Sequence, residues 1–162
     1  MNTKRPNEDV IFVLNNLIQT CKDGEEGFLT AGDAVQDLNL RAVFHMYAQQ
    51  RARFRAELTN EVLHHGGNPA SSGHIAGALH RGWLNIRTAV AGTETRVIVG
   101  ECDFGEDAAV KAYSDALKKV LPFYLLEIVR RQYAEVKSAH DAVRNIKREV
   151  RAPGYSSPLS YS

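Results

Sequence analysis

The chain has 162 residues, 44% hydrophobic and 24% charged, with a formal net charge of +1 and two cysteines. This length buries a core without help from disulfides or a structural metal, and the near-neutral charge excludes an electrostatic specialist for nucleic acid or anionic membrane surfaces. Residues 1–9 lack the apolar run of a signal peptide and no stretch approaches the roughly 18 apolar residues of a membrane span, so the expectation is a cytoplasmic protein with reduced thiols and no nucleic-acid or membrane partner.

After a polar tail over 1–9, with Asn7 and Asp9 as candidate caps, Ile11, Leu14, Ile18, Cys21, Phe28 and Val35 mark one helical stripe over 10–37. Asp37-Leu38-Asn39 is a short polar break. A second helix follows on Leu40, Phe44, Tyr47, Phe54, Leu58 and Val62, and stops at His65-Gly66-Gly67-Asn68-Pro69. So short a break folds the two helices into an antiparallel hairpin. Residues 70–92 then carry Ile75, Leu79, Trp83, Ile86 and Val90 at helical spacing, which predicts a shorter amphipathic crossover helix.

Thr93 is the expected cap of a third long helix on Ile98, Cys102, Ala109, Tyr113 and Leu117, ended near Lys119 and broken by Pro122. A fourth helix over 123–150 uses Leu125, Ile128, Val129, Val136, Ala139, Val143 and Ile146. Residues 151–162, rich in Pro, Gly, Ser and Tyr, predict a disordered tail. Alternating β-branched runs bounded by tight turns are absent, so the fold class is all-α: a four-helix bundle over 10–150, made of two hairpins joined by a long crossover.

The two hairpins are related. Cys21-Lys22-Asp23-Gly24-Glu25-Glu26 returns, worn, as Cys102-Asp103-Phe104-Gly105-Glu106-Asp107 at an offset of 81 residues. Within the apolar stripes four positions are polar: Glu25, Arg51, Glu106 and Gln132. Glu25 and Arg51 each lie thirteen residues from Leu38, and Glu106 and Gln132 thirteen from Lys119. Equal distance from a hairpin turn means equal height, so the expectation is a central polar layer of these four, with Glu26, Gln50 and Glu135 beside it. A buried carboxylate must be paired, protonated or bound to a cation, and Arg51 and Gln132 carry groups able to satisfy it. Gly24 and Gly105 adjoin the two glutamates and allow close approach.

Cys21 and Cys102, each four residues before a stripe glutamate, are expected as small buried hydrophobes, with a redox pair or soft metal ligands as the alternatives. His64 and His65 suit the C-terminal end of a helix. His140, His80 and Trp83 are expected as packing or surface residues. No nucleophile–base motif, phosphate loop, zinc spacing or dinucleotide fingerprint is present.

Lys22-Asp23-Gly24-Glu25-Glu26-Gly27-Phe28, Ala48-Gln49-Gln50-Arg51, Ala78-Leu79-His80-Arg81-Gly82-Trp83, the stretch 101–107 and Gln132-Tyr133-Ala134-Glu135-Val136-Lys137 resemble a bacterial family of ferritin-like four-helix bundles of unknown function, over roughly residues 10–147. The wider ferritin-like superfamily implies a di-iron or di-manganese site built from one Glu on each of two helices and Glu-x-x-His on the other two. Glu25 and Glu106 match the single carboxylates, whereas the segments around Arg51 and Gln132 contain no Glu-x-x-His. The expected protein is therefore a homodimeric structural or stress-related binding protein that self-associates, with no cofactor. The alternative is a non-haem di-metal carboxylate protein that binds iron or manganese through Glu25, Glu26, Glu106 and Glu135.

Overall fold

The computed structural model describes residues 6–69 and 94–156. They form four α-helices: α1, Pro6–Ala34; α2, Leu38–His64; α3, Thr95–Leu117; and α4, Phe123–Arg151. No strand occurs among the described residues, and none of these helices is long and apolar enough to cross a membrane. The expected crossover helix, His80, Trp83 and the Thr93 cap lie outside the described residues.

Local chemistry explains the boundaries. Pro6 opens α1 because the first helical position has no intrahelical use for an N–H; Asn7 and Asp9 are thus inside the first turn, where Glu8 and Asp9 complement the dipole. α1 stops at Ala34, short of the expected 37, because Asp37 caps the next helix. Its carboxylate accepts from the amides of Asn39 at 2.8 Å and Leu40 at 3.3 Å, so Leu38 and Asn39 belong to α2. Arg41 then reaches back to the carbonyls of Gly32 and Val35, at 3.2 and 3.1 Å, and closes the C-terminal end of α1.

α2 ends in a Schellman motif. Gly66 takes φ 76°, its amide donates to the Leu63 carbonyl at 3.0 Å, and the Gly67 amide donates to that of Val62 at 2.9 Å. A Cβ at Gly67 would lie 2.8 Å from Ile11 and 2.9 Å from Val62, so this corner is pressed onto α1. Asn15 of α1 fastens it by donating to the Asn68 carbonyl at 3.2 Å.

α1 packs on α2 and on α3, and α3 on α4. The α3–α4 turn lies beside Val10 and Val13 at the start of α1, so α3 runs antiparallel to α1. α2 ends at that same end of the bundle and α3 begins at the other, which is the long-crossover arrangement of two hairpins.

Buried side chains form two apolar clusters, one above the other. The first contains Leu14, Cys21, Phe54, Leu58, Tyr113 and Val129; the second contains Phe28, Phe44, Tyr47, Cys102, Ala139 and Val143. The boundary between them falls at Gly24 on α1, Arg51 on α2 and Glu106 on α3.

Candidate functional site

Arg51 sits on the inner stripe of α2 between Ala48 and Phe54, and Glu106 sits on that of α3 between Cys102 and Ala109. Both are 0% exposed. The arginine Nη1 donates to Glu106 Oε1 at 2.9 Å and Nη2 donates to Oε2 at 2.8 Å, a two-pronged contact that matches the planar guanidinium to the carboxylate. Arg51 Nε donates to Gln50 Oε1 at 3.3 Å. The Phe28 ring covers the cation, with 5.7 Å between the guanidinium carbon and the ring centre. Gly24, one turn before Phe28 on α1, leaves room for the same side chain: a Cβ there would lie 3.3 Å from Arg51 Cγ and 3.4 Å from Nη1.

Burial pushes the Glu106 carboxyl above its ordinary value, and the charge and hydrogen bonds of Arg51 hold that rise in check. For Arg51, burial acts to lower the pKa, but Glu106 outweighs it and the net shift is upward, so the guanidinium stays charged. Such a pair is stable only when each charge finds its partner in good geometry, which the two short bonds supply.

Glu25 departs from the expected pairing with Arg51. It is half-buried and accepts from Arg55 at 2.8 Å instead. One guanidinium satisfies one carboxylate in this way; a second at the same height would be an uncompensated buried charge, so Glu25 turns to the rim. Glu26 and Glu135 are likewise half-buried.

Gln132 is fully buried but stands away from the pair. It accepts from the Tyr113 hydroxyl at 2.8 Å and donates to Glu57 at 2.7 Å. Tyr113 faces Gln132 and Asp107 faces His140, so the α3–α4 hairpin turns about Pro122 and Phe123 rather than Lys119. Moving the midpoint by three or four residues shifts the facing residue by twice that, about two helical turns. Glu106 is therefore level with Ala139 and His140, and Gln132 with Tyr113.

The Tyr113 hydroxyl has one proton, and Gln132 Oε1 receives it. Cys21 Sγ, 3.1 Å from the same oxygen, is consequently the donor and stays a thiol. Burial pushes Cys21 up to about 11 and Cys102 well above its usual range. Both are free, buried and in different core clusters.

Sequence reasoning missed a second polar system on the α3–α4 seam. Asp103, 2% exposed, accepts from Arg144 Nε at 3.1 Å and Lys147 Nζ at 2.6 Å. Burial acts to raise its pKa, but these two cations prevail and hold it below the ordinary carboxylate value. Asp107 bonds His140 at 2.7 Å and Arg144 at 2.9 Å. The signal was the spacing: acids four apart on α3 facing bases at 140, 144 and 147 on α4.

Among the described residues no group of three or more His, Cys, Asp and Glu side chains is placed to hold a metal ion. The donor set itself explains this. Both Glu106 oxygens are engaged by Arg51, and Glu25 by Arg55. A dication between them would meet a buried guanidinium, so these residues do not fit a carboxylate-bridged metal pair.

Two antiparallel helical hairpins whose directions require one long crossover between them are the arrangement of the ferritin-like class of bundles. The chain belongs to the family described as "Domain of unknown function (DUF2383)", whose model matches residues 9–119, that is, α1 to the α3–α4 turn. Its fold is similar to a crystal structure of a two-domain protein from Anabaena variabilis that contains DJ-1/ThiJ/PfpI-like and ferritin-like domains. The TM-score is 0.75 at 12% sequence identity, over 96% of this chain and 43% of that one. The chain thus spans less than half of that protein's length. No curated protein matches it.

Proposed function

We propose that this chain is a ferritin-like bundle in which a guanidinium–carboxylate pair replaces the metal pair, and that it acts as a structural or binding protein through self-association. The observation that carries this is the two-pronged contact of Arg51 with Glu106, both fully buried. The pair supplies at the bundle centre the positive charge that buried carboxylates need, and it does so without leaving an open coordination position. The bundle centre is thereby closed, and activity is left to the surface. A stress-related role rests on analogy with the fold class alone.

The competing reading is a non-haem iron or manganese protein using Glu25, Glu26, Glu106 and Glu135. It requires Arg51 to release Glu106. Elemental analysis of protein purified without chelator, and again after incubation with ferrous or manganous ion, separates the two. The expected result is no stoichiometric metal in either sample. Stoichiometric metal that disappears in the Glu25→Ala, Glu106→Ala double variant would overturn the proposal in favour of the metal protein.

A further inference from the structure

α4 finishes on a stripe of bases. Arg144, Lys147, Arg148 and Arg151 fall three and four residues apart, which puts all of them on one side of the helix. Among the described residues these four alone line a concavity of about 210 Å³. Each base has a local reason: Arg148 and Arg151 in the last turn complement the helix dipole, and Asp103 takes Arg144 and Lys147. Neither reason requires four like charges to converge. Arg144 with Arg148, and Lys147 with Arg151, are like-charged pairs four residues apart, which destabilise a helix. Arg148 bonds the neutral Asn145 side chain at 3.2 Å, and the Arg151 side chain has no ion pair among the described residues. The stripe thus lacks the counter-charge that would offset its repulsion.

We propose that this stripe binds an oligophosphate chain, either a free inorganic anion or the phosphate chain of a nucleotide. The proposal does not depend on self-association. Two of the cations are already held in place: Asp103, itself 2% exposed, fixes Lys147 Nζ at 2.6 Å and Arg144 Nε at 3.1 Å, and Asp107 takes Arg144 Nη2 at 2.9 Å. These contacts leave Arg144 Nη1 and the remaining Lys147 protons to donate, so a ligand meets groups whose ordering entropy is already spent. Guanidinium forks match phosphate oxygens in pairs. Residues 144 to 151 span about 10 Å of helix axis, longer than one phosphate bridges and within reach of two or three linked together. Lys147 and Arg151 also line an adjoining groove of about 640 Å³. Val97 and Phe104 are half-exposed there, and a Cβ at Gly100 would meet nothing. An organic group carried by the phosphates would find an apolar wall beside the stripe.

The test is isothermal titration calorimetry of the full chain with sodium tripolyphosphate, with ATP in the absence of magnesium, and with inorganic phosphate. Salt is held at about 0.1 M, where charges more than roughly 10 Å apart are screened, and circular dichroism establishes folding. Tripolyphosphate is expected to bind one to one, about tenfold or more tighter than inorganic phosphate. Arg148→Ser and Arg151→Ser should each weaken it about tenfold, the loss of one charge-assisted contact. Arg130→Ser makes the same change of net charge elsewhere on α4 and should leave binding unchanged. ATP that binds more tightly than tripolyphosphate, with the gain lost in Phe104→Ser, identifies a nucleotide; otherwise the chain is inorganic. Equal losses in all three arginine variants, or tripolyphosphate no tighter than inorganic phosphate, would reveal an adventitious ion only and overturn the site. Absence of binding at millimolar ligand overturns it as well. If Arg148→Ser and Arg151→Ser then dissociate a wild-type dimer in light scattering, the stripe belongs to the acids of a second copy instead.

Discussion

Arg51 and Glu106, 55 residues apart in sequence, meet in the centre of the bundle as a fully buried ion pair with bonds of 2.9 and 2.8 Å. The contact ties α2 of the first hairpin to α3 of the second and divides the apolar core into two parts. Removing one partner strands the other in a place where water cannot reach it.

Arg51→Ala should therefore cost about 3–5 kcal/mol of folding stability, and Glu106→Ala a similar amount. Replacing both by apolar residues of like volume, Arg51→Met with Glu106→Leu, should be close to neutral or stabilising, since no charge is left behind. Glu25→Ala should lose less than about 1 kcal/mol, because its Arg55 partner is 41% exposed. Urea unfolding of the four variants tests the set. A loss below 1 kcal/mol in Arg51→Ala would mean that water enters the pair.

Gly24 offers a conditional prediction. Alanine is favoured over glycine in a helix by about 1 kcal/mol, but its Cβ would press on Arg51 Cγ and Nη1 at 3.3 and 3.4 Å. The Glu106 clamp keeps that side chain from yielding, so Gly24→Ala should destabilise the wild type. In the Arg51→Ala background, where the crowding atoms are gone, the same change should stabilise by about 1 kcal/mol. An unchanged sign in the two backgrounds would refute the packing argument.

The two thiols should be silent in the native state. Cys21 is 0% exposed, donates to Tyr113 and is pushed up to about 11, and Cys102 is buried in the other cluster. Neither forms the nucleophilic thiolate near neutral pH. Ellman's reagent should label no thiol before unfolding and two after it in denaturant. Rapid labelling of one thiol in native protein would contradict this burial.

Asp103 sets a pH dependence. Its folded-state pKa lies below the usual 3.8 because Lys147 and Arg144 favour the charged form over the burial penalty. Its contribution is therefore complete above that value and is lost as pH falls through the folded-state value. Asp103→Asn should cost about 1.5–3 kcal/mol at pH 7, the range for hydrogen bonds to a charged group. The difference from wild type should shrink steadily in guanidinium unfolding curves taken below pH 4. A difference constant down to pH 2 would rule out the ion network as its cause.

The four described helices and their order were legible in the chain because they rest on local patterns. The stripe from Leu125 to Val143 after Pro122 marks α4 nearly to the residue, and the Gly66-Gly67 pair marks the end of α2. Where a boundary moved, another local rule had priority: Pro6 at a first helical position, and Asp37 capping forward into α2. The polar interruptions of the stripes also stand in the sequence, and Arg51, Glu106 and Gln132 are all fully buried.

Partnership was decided by tertiary structure. Which acid takes Arg51 depends on side-chain reach and on the impossibility of burying two carboxylates against one guanidinium, and no spacing rule encodes that. Which residue faces Glu106 depends on where the α3–α4 turn has its midpoint, and a shift from Lys119 to Phe123 moves the facing position from Gln132 to His140. The returning Gly-Glu of the two halves is thus visible by sequence alone, but its two copies meet different fates. Gly24 makes room for the arginine while Glu25 faces the rim; Glu106 receives the arginine in the core.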